Sequence, residues 1–240
     1  MKAVILAGGR GTRLKSVVHG TPKPMAPVNG RPFLEFLISR LVSQGINNII
    51  LSVGHMHEQI MDHFEDGKNF HSSITYCVEH EPLGTGGAVR EALLMADSGD
   101  LLVMNGDTFV AIDIEKLVAF HRSLQVIATM AVIPVDDASR YGTVNVSPTG
   151  LVTTFTEKNA GGSALINSGV YIFNKRMIDA IPPGQVSLET AILPPLAITG
   201  HLAAHCQDVP FIDIGVPSAY REFCLNSSRY VHVSEKKREC

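Results

Sequence analysis

The sequence has few cysteines, and they lie far apart. Its 240 residues include four, at positions 77, 206, 224 and 240, and no two of them form a C-x-x-C pair. A zinc site of the finger type and the disulfide framework of a small secreted domain both need a closer spacing. Free thiols are the remaining interpretation, and these are typical of a reducing cytosol.

Long apolar runs and an excess of charge are also missing. The apolar run over residues 3–7 ends at Gly8 and is too short for a signal peptide, and no stretch approaches the length of a membrane span. Lys and Arg number 20 against 23 Asp and Glu, a formal net charge of -3. This balance indicates no general surface for nucleic acid or an anionic membrane. We therefore expect a cytoplasmic protein with neither as a partner.

Enough apolar residues remain for one substantial core. Hydrophobic residues make up 45% of the chain and charged residues 18%, which excludes a disordered chain. A single core can still grow at this length, so we expect one domain over residues 1–226. Residues 227–240 are polar and are expected to form a frayed tail.

Strands and helices alternate through the first half of the chain. Apolar periodicity predicts strands at 2–6, 48–53, 73–78 and 100–104, and helices between Pro32 and Gly45, at 57–64 and at 85–95. The second half is richer in strands, predicted at 126–133, 142–146, 151–156, 165–173, 203–206 and 211–214, with helices near 188–198 and 218–223. We predict a single α/β domain, a Rossmann-like, mostly parallel sheet flanked by helices, with a β-rich extension. Ligands of such sheets bind outside the carboxyl ends of the strands.

The strongest motif follows the first predicted strand. Residues 6–14 read LAGGRGTRL, and PKP follows at 22–24. Three glycines allow backbone N–H groups to approach phosphate oxygens, and Arg13 and Lys23 add positive charge. This combination suits a nucleoside triphosphate, whose chemistry depends on positioning and charge neutralisation. The alternative is a tight strand-to-helix turn with surface cations.

Other glycine-loop functions fail in detail. Leu14 occupies the third glycine position of G-x-G-x-x-G, which argues against a dinucleotide-binding oxidoreductase. The sequence contains neither G-x-x-x-x-G-K-[ST] nor G-x-S-x-G, so a P-loop ATPase and a serine hydrolase are also excluded.

Two further groups contain residue types that can bind metal ions, and the sequence favours only the first as a metal site. Asp107 follows a predicted strand within Asn105-Gly106-Asp107, where a carboxylate could hold Mg²⁺ together with substrate phosphates. The alternative is a simple turn, which that composition also favours. His57 and His63 are six residues apart, and no nearby acid or cysteine completes a zinc spacing, so these histidines are expected at the surface.

These motifs resemble those of the sugar-1-phosphate nucleotidyltransferases. That family opens with L-A-G-G-x-G-T-R-L followed by P-K-P, and the likeness continues over nearly the whole chain through 81–88, 105–107, 157–158, 167–171 and 211–215. Many members carry Pro-Leu-Thr where this chain has Ser16-Val17-Val18. This variation, with the segment 22–30, is similar to the bacterial D-glycero-α-D-manno-heptose 1-phosphate guanylyltransferases.

The resemblance implies a role for each matching residue. Arg13, Lys23 and Asp107 would be catalytic, and Mg²⁺ would be held by Asp107 and Asp213. The nucleotide would be bound by Leu6, Ala7, Gly8, Gly9, Gly11, Thr12, Glu81, Gly84, Thr85, Gly86 and Asn105. The sugar phosphate would be bound by Gly142, Glu157, Lys158, Asn167 and Gly169, in a pocket formed by the β-rich extension.

The implied activity is the transfer of GMP from GTP to a manno-heptose 1-phosphate, for a cell-surface polysaccharide. One alternative keeps the reaction and changes the pair, for example UTP with a hexose or amino-sugar 1-phosphate. A second alternative is a catalytically silent subunit that binds nucleotide sugars. The expected partners are the two small-molecule substrates, and a homodimer is the commonest assembly for a soluble enzyme.

Overall fold

A computed structural model describes residues 1–9, 11, 14, 17–96, 99–156 and 161–231. Its strands are β1 Lys2–Leu6, β2 Pro27–Val28, β3 Arg31–Pro32, β4 Asn48–Val53, β5 Ser73–Val78, β6 Asp100–Asn105, β7 Thr108–Val110, β8 Ala128–Val135, β9 Thr143–Val146, β10 Val152–Thr156, β11 Ala164–Asn174, β12 Leu202–Cys206 and β13 Phe211–Asp213. Its α-helices are α1 Phe33–Ser43, α2 His57–Phe64, α3 Gly84–Met95, α4 Ile114–Leu124, α5 Met177–Ala180, α6 Leu193–Ile198 and α7 Pro217–Val231. Two short 3-10 turns, Lys23–Met25 and Lys68–Phe70, and a π-helical turn, Leu188–Ile192, complete the described elements.

The central sheet is mostly parallel in its first half. The strands β5, β4, β1 and β6 lie side by side in that order and run parallel. On the other edge of β6 lies β11, which runs antiparallel to it. β11 also pairs with β8 and β9, and β12 and β10 extend these two neighbours. The parallel half therefore continues directly into the β-rich half through one shared strand.

The two faces of the sheet carry separate cores. Side chains alternate along the strands: Ala3 and Ile5 of β1 face one helical layer, and Val4 faces the other, as expected for a period of two residues. The first layer contains α1, α2, α4 and α7, and the second contains α3, α5 and α6. Helices on both faces bury the apolar strands completely, which is the usual condition for a parallel sheet.

One small pairing positions the candidate site. β7 and β13 form a two-stranded antiparallel sheet in which Asp213 lies opposite Thr108. Because Thr108 follows Asp107 in the chain, this register brings the two aspartates together across a sequence separation of about a hundred residues. The acids meet at the carboxyl end of β6, where a ligand of this sheet type is expected.

The predicted fold class is confirmed, with differences in particular elements. The bounds of β1, β4, β5 and α2 match the predicted ranges, whereas α4 (Ile114–Leu124) was not predicted. The predicted helix at 218–223 is part of the longer α7, which continues to Val231 with a break in helical geometry at Asn226. The predicted frayed tail, 227–240, is therefore helical over 227–231, where Tyr230 is buried, and 232–240 lie outside the described residues.

In the part of the chain that the structure describes, no helix combines the length and apolar character that a bilayer crossing needs.

Candidate active site

An open cleft of about 710 Å³ lies at the carboxyl ends of β1, β4, β5 and β6. This volume is within the range of small-molecule sites in proteins. The cleft is lined by most of the residues predicted to bind the nucleotide or to act in catalysis: Leu6, Ala7, Gly8, Gly9, Gly11, Lys23, Glu81, Gly84, Thr85, Asn105 and Asp107. The predicted residues Arg13, Thr12, Glu157 and Lys158 lie outside the described residues.

A buried lysine and two carboxylates form the charged centre of this cleft. The side chain of Lys23 is only 8% exposed, and its Nζ donates to Asp107 Oδ2 and lies 3.7 Å from Asp213 Oδ1. The amide of Gly215 donates to Asp213 Oδ1 at 2.6 Å. The centre is thus assembled from the 3-10 turn at Lys23–Met25, the second residue after β6 and the last residue of β13.

Two glycines allow the backbone to approach this centre closely. Gly11 has a φ of +56°, and a Cβ there would lie 2.7 Å from Lys23 Cβ. A Cβ on Gly215 would lie 2.7 Å from Asp213 Oδ1 and 2.9 Å from Lys23 Nζ. A larger residue at either position would displace the lysine or the acid. The glycine motif had predicted a close backbone approach at Gly11, whereas no such role was predicted for Gly215.

The two aspartates fit a magnesium ion. Their carboxylates already converge on one positive charge, the Lys23 ammonium, and Mg²⁺ is commonly held by one or two carboxylates with waters and substrate phosphates. Among the described residues no group of three or more His, Cys, Asp or Glu side chains could hold a metal. In such a site, substrate phosphates and water usually complete the coordination of Mg²⁺. The donor set is all oxygen, which suits Mg²⁺ rather than zinc.

One further carboxylate in the cleft, that of Glu79, was not predicted. Glu79 follows β5, and its Oε1 accepts from Ser52 Oγ at 3.0 Å while its Oε2 accepts from the Leu83 amide at 3.3 Å. Ser52 is fully buried on β4, so its hydrogen bond holds the carboxylate on the buried side. The Glu79 side chain still lines the cleft. The signal that identified Asp107, an acid just after a buried strand, also applies to Glu79.

The start of α3 is held by hydrogen bonds to residues 186–189, at the end of the preceding loop and the beginning of the π-helical turn. Thr85 Oγ1 donates to Glu189 Oε2 at 2.7 Å and accepts from the Leu188 amide at 2.9 Å. The amide of Gly86 donates to Val186 O at 2.8 Å. Gly86 does not line the cleft, because its backbone donor is used to dock the helix, whereas Gly84 and Thr85 do line it.

The predicted sugar residues form a second group, which adjoins the cleft at Asn105. Gly169 has a φ of +75° and packs directly against the side chain of Asn105, which itself lines the cleft. Asn167 Oδ1 accepts from the Gly169 amide at 3.0 Å, and the Asn167 amide donates to Gly142 O at 3.0 Å. Asn167 Nδ2 donates to Tyr171 Oη at 2.7 Å, and complete burial raises the pKa of that phenol, which keeps it neutral.

Three histidines also line the cleft, His55, His57 and His80. His55 is exposed and His57 is half-buried, which agrees with the surface position expected for His57. The Nδ1 of His57 lies 3.0 Å from Gly54 O, and since a carbonyl only accepts, Nδ1 carries the proton. His63 is elsewhere, with its Nε2 2.8 Å from Glu35 Oε1.

Comparison with known proteins agrees with this geometry. A family model described as nucleotidyl transferase matches residues 2–228. The D-glycero-alpha-D-manno-heptose 1-phosphate guanylyltransferase of Aneurinibacillus thermoaerophilus is 38% identical over 96% of this chain and 100% of its own length. The enzyme of the same name from Campylobacter jejuni is 41% identical over 95% of this chain and 100% of its own length.

Solved structures give the same result. The crystal structure of HddC from Yersinia pseudotuberculosis complexed with GMP-PN is 38% identical and superposes with a TM-score of 0.84, covering 94% of this chain and 99% of that chain. A second crystal structure of HddC from Yersinia pseudotuberculosis superposes on this chain with a TM-score of 0.85. On the family match and on these near full-length relatives, the chain belongs to the nucleotidyl transferase family.

Proposed function

We propose that the chain transfers GMP from GTP to D-glycero-α-D-manno-heptose 1-phosphate, with release of pyrophosphate, in the cytoplasm. The observation that carries the proposal is the convergence of Lys23, Asp107 and Asp213 beside a nucleotide-sized cleft. Two guanylyltransferases for this sugar align with 95% and 96% of the chain, which supports the choice of substrates. Cys77 and Cys224 are thiols rather than disulfides, which agrees with a reducing compartment. The product would serve cell-surface polysaccharide synthesis.

The reaction is an in-line displacement at phosphorus. A phosphate oxygen of the sugar 1-phosphate attacks the α-phosphorus of GTP, the new P–O bond forms, and the bond to the β-phosphate bridging oxygen breaks as pyrophosphate leaves. The attacking phosphate is already ionised at neutral pH, so no general base is needed and no covalent enzyme intermediate forms. The protein contributes alignment and positive charge.

The chain's own residues divide this work between two groups. Lys23 and Arg13 neutralise charge on the triphosphate, and the backbone of the glycine loop and of Gly84 holds the nucleotide. The sugar hydroxyls are bound by Glu157 and Asn167, next to Gly142 and Gly169, and the sugar phosphate is bound by Lys158. Bound at Asp107 and Asp213, Mg²⁺ would supply further charge neutralisation to the phosphates.

We assign recognition of the base to Glu79. Guanine presents two adjacent donors, the N1–H and the N2 amino group, and a carboxylate can accept from both because it has only acceptors. Glu79 is the carboxylate in the cleft that is fixed by Ser52 and Leu83 on its inner side. Each of its oxygens keeps a further lone pair for a ligand.

A substrate matrix tests the function. Pyrophosphate release would be measured with four nucleoside triphosphates against the heptose, mannose, glucose and amino-sugar 1-phosphates. We expect the highest kcat/KM for GTP with the heptose phosphate. A preference for another pair would replace these substrates within the same reaction, and no turnover with any pair would favour the catalytically silent subunit.

The variant Glu79→Gln tests base recognition. Inosine triphosphate lacks the N2 amino group, so the wild-type enzyme should prefer GTP to it, and Glu79→Gln should reduce that preference about tenfold, the value of a charge-assisted hydrogen bond. The control is Glu115→Gln, an exposed position on α4. Equal use of GTP and inosine triphosphate by the wild type would remove the assignment.

A further inference from the structure

Arg140 lies at the junction of the nucleotide and sugar groups of residues. It is in the turn between β8 and β9, and its Nη2 lies 3.8 Å from Asp213 Oδ2. Lys23 faces the other oxygen of the same carboxylate at 3.7 Å. Asp213 therefore lies between two cations, one contributed by each half of the chain.

The turn that carries Arg140 is fixed on both sides. The ring of Tyr141 packs edge-on against Phe211, with centroids 5.3 Å apart, and Phe211 belongs to the same strand as Asp213. On the other side the carbonyl of Gly142 accepts from the amide of Asn167 at 3.0 Å. Arg140 is thus held between the strand of the metal-binding acid and the residues proposed for the sugar.

The guanidinium of Arg140 makes few contacts with the described residues. Its side chain is 41% exposed, and its carbon lies 5.3 Å from the centroid of the Tyr141 ring. Within the described residues, Arg140 makes this stacking contact and the single long ion pair with Asp213, and no hydrogen bond. An arginine has five N–H donors in a planar fork, and most of those of Arg140 have no partner among the described residues.

The charges of this centre balance without any ligand. Asp107 and Asp213 contribute two negative charges, and Lys23 and Arg140, which lie within 3.8 Å of these carboxylates, contribute two positive charges. When a divalent cation neutralises the acids, the two side-chain cations become available to other anions. Lys23 faces the triphosphate cleft, and Arg140 is on the side of Gly142 and Asn167.

We propose that Arg140 binds the phosphate group of the incoming sugar 1-phosphate, in addition to Lys158, to which the proposed function assigns the same group. The attacking phosphate must lie between the α-phosphate, near Asp107 and Asp213, and the sugar hydroxyls, near Asn167. Arg140 occupies that interval, and its fork matches two phosphate oxygens in a bidentate pair. In the absence of substrate the same guanidinium rests on Asp213. This inference depends on the proposed function, because it assumes a sugar phosphate as the acceptor.

The variants Arg140→Gln and Arg140→Lys test this assignment with any sugar 1-phosphate that the wild type uses. For Arg140→Gln we expect the KM for the sugar phosphate to rise about tenfold to a hundredfold, the cost of losing hydrogen bonds between charged groups. Arg140→Lys should recover part of this loss, because the charge remains and the bidentate fork does not. The KM for GTP and the Mg²⁺ concentration for half-maximal rate should stay within about threefold.

The matched control is Arg122→Gln. Arg122 Nε also lies close to an aspartate, 3.6 Å from Asp100 Oδ2, and it is 67% exposed at the other end of the sheet. It should leave all kinetic constants unchanged. A fall in kcat of Arg140→Gln with an unchanged KM for the sugar phosphate, or a shift in Mg²⁺ dependence alone, would show that Arg140 acts only through Asp213 and would overturn the proposal. If the wild type uses no sugar phosphate, the proposed function itself fails.

Discussion

At Lys23, one buried ammonium faces two carboxylates from distant parts of the chain. A buried charge is stable only when it is paired, and Lys23 is paired with Asp107 and Asp213. Removing one acid leaves a buried positive charge with a weaker partner and takes away one of the two proposed metal ligands. The first effect lowers the stability of the fold, and the second acts on the reacting phosphates.

The variant Asp107→Asn should lower kcat at least about a hundredfold, the scale of losing one strong electrostatic stabiliser. Asparagine keeps the size of the side chain and Asp213 remains a partner of Lys23, so the protein should stay folded with a lower thermal midpoint. The measurement is the steady-state rate of pyrophosphate release, together with thermal unfolding. Asp66→Asn is the control, since Asp66 is exposed and pairs only with Lys68. An unchanged rate for Asp107→Asn would remove Asp107 from the metal site.

The sequence was informative about single residues where the chemistry is local. Lys23 and Asp107 could be predicted because a glycine loop and a strand end are visible in a short window. Glu79 carries the same local signal, an acid just after a buried strand, but was not predicted. Arg140 could not be identified in this way, since its partner Asp213 is distant in the chain. Only the register of the sheet brings such pairs together.

At the scale of elements, α4 carries a buried histidine. His121 is 4% exposed, its Nδ1 lies 2.8 Å from Thr129 Oγ1, and its Nε2 lies 3.7 Å from Asp100 Oδ1. Burial lowers the pKa of this imidazole, Asp100 acts in the opposite direction, and Arg122 lowers it further. Burial also lowers the pKa of His205, whose ring packs against Phe120 of the same helix.

The protein should lose stability as the pH falls from about 7.5 to 5.5, because unfolded histidine takes up a proton near its ordinary pKa of 6.5 while buried His121 resists it. The unfolded state then binds more protons, so stability rises with pH across this window. His121→Gln should reduce the pH dependence of the thermal midpoint, and exposed His71→Gln should not. An identical slope for wild type and His121→Gln would contradict this origin of the acid sensitivity.

Elements could be predicted where an apolar pattern is bounded by clear signals. The short strands after Gly45 and Gly67 are examples, since both fall within the predicted ranges. α4 was not predicted, although its sequence contains a helix-start signal. Asp113 caps the helix by accepting from the backbone amide of Lys116. The end of α7 has a polar sequence, and it is held in place because Tyr230 packs on Phe109 and Phe223. Phe109 is distant from α7 in the sequence, so this contact could not be predicted from the local pattern.

At the scale of the molecule, α7 closes one face of the sheet with an aromatic cluster. Phe223 is fully buried and contacts the rings of Phe33, Phe36 and Phe109 at centroid distances of 5.1, 5.5 and 5.7 Å. These partners belong to α1 and β7, so the last helix is packed on the first half of the chain. Such packing couples distant segments into one cooperative unit.

Phe223→Ala should lower the free energy of unfolding by about 3–5 kcal/mol, the usual cost of removing a buried phenylalanine. Leu225→Ala, two residues along and 83% exposed, should change it by less than about 0.5 kcal/mol. Urea unfolding followed by far-UV circular dichroism and by tyrosine fluorescence measures both, as the sequence contains no tryptophan. Separate transitions from the two probes would contradict a single folding unit.

The long strand β11 has a consequence for how substrate preference can change. Residues 170–174 of this strand pair with β6, and Ile166 pairs with β9, so a single strand, irregular in its pairing between Asn167 and Tyr171, joins the proposed nucleotide and sugar sites. A chimera that exchanges the proposed acceptor-binding halves between two relatives would need its crossover point inside this strand, where Tyr171, Ile172 and Phe173 are fully buried. New acceptor preferences are therefore expected to arise by point substitution around 142, before β9, and around 167, within β11, rather than by exchange of whole segments.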